Sequence, residues 1–60
     1  MKRNEFIKIL TDNNVIFFRR GSKHDIYKEI ITGKKVTVPR HREIDNKLVK
    51  EILGELQIKN

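Results

Sequence analysis

Among the side chains of this 60-residue sequence, His24 is the one placed to do chemistry. It lies in RRGSKHDIYK (Arg19 to Lys28), just past a glycine, with Arg19, Arg20, Lys23 and Lys28 as its cationic neighbours. An imidazole exchanges protons near neutral pH, which is what a general base or acid must do. Ammonium and guanidinium groups beside it can hold phosphate oxygens. RNA supplies its own nucleophile, the ribose 2′-hydroxyl. A base that takes this proton lets the oxygen attack the adjacent phosphorus, and nearby cations stabilise the charge that builds on the phosphate. Such a reaction needs one histidine and a few cations, with no metal and no cofactor. His41, Tyr27 or a water can serve as proton donor to the leaving 5′-oxygen, and the sequence does not choose among them.

The charge distribution points to the same kind of ligand. The formal net charge is +6. Residues 19 to 42 hold eight Lys/Arg (Arg19, Arg20, Lys23, Lys28, Lys34, Lys35, Arg40, Arg42) against only Asp25 and Glu29, so all of the excess lies in that one segment. A charge gathered in this way attracts polyanions, chiefly nucleic acid. Arg19, Arg20, Lys23 and Lys28 are candidate phosphate contacts, as are Lys34, Lys35, Arg40 and Arg42 across the loops. Binding alone does not require cleavage. A non-catalytic RNA-binding module, or a partner for an acidic protein surface, would carry the same basic segment.

Other chemistries find little support. The absence of cysteine excludes disulfides and thiolate zinc sites. Two histidines without cysteine make a poor metal site. Ser22 lacks the partners of a nucleophilic triad. Asp25 is adjacent to His24 on a predicted strand, so the two side chains point to opposite faces and Asp25 does not orient the ring. No dinucleotide, P-loop or EF-hand motif is present. No apolar run reaches the roughly 18 residues of a membrane span, and the N-terminal MKRNEFIKIL lacks the long apolar region of a signal peptide. A cytoplasmic protein of one domain, residues 1 to 60, is the expectation.

The elements that must position these residues read as α-β-β-β-α. Residues 2 to 13 form a helix, with Phe6, Ile9, Leu10 and Asn13 on one face and Ile7 flanking. Asn14 suits the left-handed position that ends it. VIFFRR, Val15 to Arg20, is a strand by its β-branched and aromatic content. Four successive apolar residues hide which face it buries. Gly21-Ser22 turns the chain, and His24 to Ile30 is the second strand. ITGK is a hairpin turn with Gly33 at positive φ. KVTV, Lys35 to Val38, is the third strand, stopped by Pro39. PRHREI is a loop, Asp45 an N-cap, and Leu48, Val49, Ile52, Leu53 and Leu56 the apolar stripe of a second helix that frays beyond Leu56. The predicted fold is α+β: a three-stranded antiparallel sheet with two helices on one face and the other face open to solvent or a partner.

The combination Gly21-Ser22-Lys23-His24, then Tyr27, then Val36-Thr37-Val38-Pro39-Arg40-His41, and Ile52-Leu53 in the second helix, resembles the HicA toxins of HicAB toxin–antitoxin systems over nearly the whole chain. Two glycines common in that family are replaced here by Asn14 and Gln57. The resemblance implies a double-stranded-RNA-binding-domain-like fold. It implies a metal-independent endoribonuclease, an mRNA interferase whose single catalytic histidine maps to His24. It also implies two partners: mRNA as substrate, and a cognate HicB antitoxin that covers the histidine and the basic surface.

Overall fold

The computed structural model describes residues 1–58. The elements, in chain order, are α1 (Arg3–Asp12), β1 (Val15–Arg20), β2 (His24–Glu29), β3 (Lys35–Pro39) and α2 (Asn46–Glu55). The strands form one antiparallel sheet in the order β1-β2-β3. This is the α+β, α-β-β-β-α arrangement that the periodicities predict. The second strand stops one residue short of the expected Ile30, and the third runs one residue further, to Pro39.

Both helices cover the same face of the sheet. Phe6 and Leu10 of α1 and Val49, Ile52 and Leu53 of α2 are buried with Val15, Tyr27, Val36 and Val38 of the strands and with Ile44. Val36 and Val38 alternate with exposed Lys35 and Thr37, so β3 has one apolar and one polar face. No buried polar side-chain atom lacks a partner among the described residues, so the small core carries no unpaired desolvated group.

The helix ends use two residues in left-handed backbone. Asn14 follows α1 with φ 65°, and Gln57 follows the C-cap of α2 with φ 58°. After α2, Gln57 N–H donates to the Gly54 carbonyl at 3.1 Å, and Ile58 N–H donates to the Leu53 carbonyl at 2.9 Å. These are the two bonds of a Schellman closure, so the chain past Leu56 is tied down through Ile58 where fraying was expected. At the other end of α2, the Asp45 carboxylate accepts from Lys47 N–H at 2.9 Å, as an N-cap should.

The expected PRHREI loop contains more order than its composition suggests. Arg3 N–H donates to the Arg42 carbonyl and Ile44 N–H to the Met1 carbonyl, both at 2.8 Å. This short antiparallel bridge, with Lys2 opposite Glu43, ties the start of α1 to the approach of α2. It also buries Ile44 between the layers.

Candidate active site

Register decides which side chains share the uncovered face. Residues directly opposite in an antiparallel pair lie on the same face. His24 pairs with Pro39, Ile26 with Thr37 and Lys28 with Lys35. Tyr27, Val36 and Val38 face the helices, so His24, Ile26, Lys28, Lys35 and Thr37 belong to the opposite, open face. His24 is exposed there at the start of β2.

β1 reaches that face at Ile16, opposite Lys28, and further along past an irregularity. Phe17 pairs with Tyr27, but Arg19 pairs with Ile26, so Phe18 is an extra residue in the strand. A bulge places two consecutive side chains on one side and shifts the alternation by one. Phe18 and Arg19 therefore both belong to the open face, and Arg20, paired with Asp25, belongs to the helix-side face. The ring of Phe18 lies 5.3 Å from Lys28 Nζ and 4.9 Å from Lys35 Nζ, which fixes its position beside those lysines. Phe17 instead meets Tyr27 edge-to-face at 5.9 Å on the helix side.

The turn that presents His24 is held from three directions. Gly21 N–H donates to the His24 carbonyl at 2.8 Å. A Cβ on Gly21 would stand 2.5 Å from that same oxygen, so only glycine allows the approach. Pro39, opposite His24, has no N–H to give, and Arg40 supplies donors at this corner. Its guanidinium donates to the carbonyls of Gly21, Ser22 and His24. The same group donates from Nε to Asp25 Oδ1 at 3.0 Å, and the other oxygen of Asp25 accepts from Arg3 Nη2 at 2.9 Å. Arg3 Nε completes the brace on the Pro39 carbonyl at 2.8 Å. Asp25 thus points away from His24, as strand geometry requires, and joins α1, β2 and the end of β3 beneath it.

The candidate phosphate contacts are divided by this geometry. Arg19, Lys28 and Lys35 share the face of His24, and Lys23 is exposed on the turn that carries it. Arg20 is exposed on the other side of β1. Arg40 is engaged with Asp25 and the turn carbonyls, so its charge acts on the site through the turn. Lys34 Nζ donates to the Glu55 carbonyl at 2.8 Å, satisfying an end carbonyl of α2 on the helix layer. Arg42 lines a cleft of about 560 Å³ with Lys2, Arg3, Asn4, Arg40 and Glu43, away from the open face. Tyr27 is buried on the helix side and cannot serve His24 as proton donor. His41 is exposed two residues beyond Pro39.

Sequence reasoning missed Phe18 and the Arg3–Asp25–Arg40 brace. Nothing in VIFFRR marks a bulge, and the brace spans 22 residues between Arg3 and Asp25. Among the described residues no three His, Asp or Glu side chains gather as a metal site.

A family model described as "HicA toxin of bacterial toxin-antitoxin" matches residues 3–58, which takes in both helices, the whole sheet and the braced turn. The chain belongs to the HicA toxin family. As a HicA toxin it is the toxin of a toxin–antitoxin system. No curated protein and no solved structure matches this HicA chain. No helix among its described residues is long and apolar enough to cross a membrane.

Proposed function

We propose that this HicA toxin is a metal-independent endoribonuclease that cleaves mRNA in the cytoplasm with His24 as its catalytic residue. The observation that carries the reading is His24 exposed on the uncovered sheet face with Arg19, Lys28 and Lys35 on that same face. A histidine packed in the core would have no access to a polymer.

In the proposed reaction His24 takes the proton of a ribose 2′-hydroxyl. The freed oxygen attacks the adjacent phosphorus, the bond from phosphorus to the 5′-oxygen breaks, and that oxygen takes a proton from His41 or water. The products are a 2′,3′-cyclic phosphate and a 5′-hydroxyl. Arg19 and Lys23 offset the charge of the transition state at the scissile phosphate, and Lys28 and Lys35 hold phosphates further along the strand. The open face is also the surface that a cognate HicB antitoxin would cover. Such a lid would block substrate and neutralise the charge together.

Labelled mRNA incubated with purified protein in EDTA tests the reading. Cleavage with cyclic phosphate ends is expected, with His24→Ala lowering the rate at least 100-fold while RNA binding stays within a few-fold. An active His24→Ala variant would overturn the assignment. Tight, salt-sensitive binding with RNA left intact would identify a non-catalytic RNA-binding module instead.

A further inference from the structure

Phe18 is an exposed aromatic with no structural partner in the core. It lies on the open face, where the bulge sets Arg19 on the same side, and it is 44% exposed. Two ammonium groups flank its ring, Lys28 Nζ at 5.3 Å and Lys35 Nζ at 4.9 Å. Those lysines sit directly opposite one another across β2 and β3. Like charges in that position repel. The ring offsets part of that repulsion through its cation–π contacts, and both ammonium groups remain without an acidic partner among the described residues. A polyanion carrying flat, unpaired rings would satisfy all three side chains at once.

We infer that Phe18, Lys28 and Lys35 form a stacking subsite for an unpaired nucleobase of single-stranded RNA, with the two lysines on the phosphates that flank it. The subsite rests on the RNA reading above and adds a binding preference to it. Stacking on an aromatic face is tolerant of base identity but requires the base to be out of a duplex. Lys28 lies four residues along β2 from His24, about 13 Å at strand spacing. The stacked base is therefore held to one side of the cleavage point. The subsite selects unpaired segments and sets where along them the 2′-hydroxyl meets His24. The charge on the face, and the lack of any acidic group paired with these lysines among the described residues, favour RNA over an acidic protein as the occupant of the free toxin.

The probe is a single-stranded 2′-O-methyl oligonucleotide, which lacks the nucleophile and stays intact. Binding is measured by fluorescence anisotropy for the wild type, Phe18→Leu, Phe18→Trp and Lys28→Gln. A second oligonucleotide with abasic sites at every position keeps the phosphates and removes the rings. Phe18 lies outside the core, and circular dichroism checks that each variant is folded. Phe18→Leu is expected to weaken binding to the base-bearing strand about 10-fold, within the range for one stacked base. It should leave the abasic strand unaffected. Phe18→Trp should bind at least as well as the wild type, with its indole fluorescence quenched by the strand. Lys28→Gln should weaken both. Equal affinity of Phe18→Leu and wild type for the base-bearing strand would overturn the subsite. So would equal losses on both strands. If these signatures appear but RNA is never cleaved, the subsite stands and the nuclease reading falls. If RNA is cleaved and Phe18→Leu changes neither affinity nor cleavage pattern, the reverse holds. Negligible wild-type affinity for either strand at physiological salt would overturn the subsite and assign the face to an acidic protein partner.

Discussion

At the scale of single residues, the turn before His24 depends on groups that never touch a substrate. The His24 carbonyl accepts from Gly21 N–H and from Arg40, so this backbone is fixed before any ligand arrives. Gly21→Ala places a methyl group 2.5 Å from that oxygen. The substitution should destabilise the fold by about 1–3 kcal/mol, as overpacking does, measurable by urea denaturation. Arg40→Lys tests the brace more gently. A lysine keeps the charge but cannot bridge a carboxylate and several carbonyls at once. Amide hydrogen exchange at Gly21 should speed up in this variant while global stability changes little. Unchanged exchange would show that Arg40 does not hold the turn. Asp25 was legible from sequence as a residue pointing away from His24. Its partners Arg3 and Arg40 were not, because nothing local couples positions 3, 25 and 40.

At the scale of elements, two departures from the family's glycines turn out to matter in backbone geometry. Asn14 and Gln57 both occupy left-handed backbone. Asparagine tolerates that region better than most residues, whereas glutamine has no such advantage. Gln57→Gly should therefore stabilise the fold by about 1 kcal/mol. Gly54 gives an independent case. It lies in α2, and a Cβ there would meet nothing within 4 Å. Gly54→Ala should add about 0.5–1 kcal/mol through helix propensity. Thermal melts of the two single variants and the double check both values. A fall in melting temperature for Gly54→Ala would mean that α2 needs its glycine for a reason the packing does not show. The helices, the turns at Asn14 and Gly33 and the alternation of β3 were readable because each depends on neighbours in sequence. The bulge at Phe18 was not, since it exists only against the register of β2.

At the scale of the whole molecule, the net charge of +6 divides into groups with different roles. Three cations share the open face with His24, Lys34 caps α2, and Arg40 braces the turn. For single strands the affinity falls with a log–log salt slope of about −0.7 per phosphate neutralised. Arg19, Lys23, Lys28 and Lys35 then predict a slope near −3 for a short oligonucleotide. Lys35→Gln should reduce its magnitude by about 0.7, and Lys34→Gln should leave it unchanged. An equal effect of the two substitutions in a salt titration would mean that charge acts by total amount and not by face.

Taken alone, the sequence determined the α+β order, the two apolar helix faces, the basic middle segment and the exceptional position of His24. Each of these follows from periodicity, backbone preference or charge counting along the chain, which operate over a few residues. Tertiary structure decided which cations stand with His24 and which are committed elsewhere. It also brought Arg3, Asp25 and Arg40 together, and it turned Phe18 outward beside Lys28 and Lys35. Strand register and layer packing set those outcomes, and both depend on contacts between residues far apart in the chain.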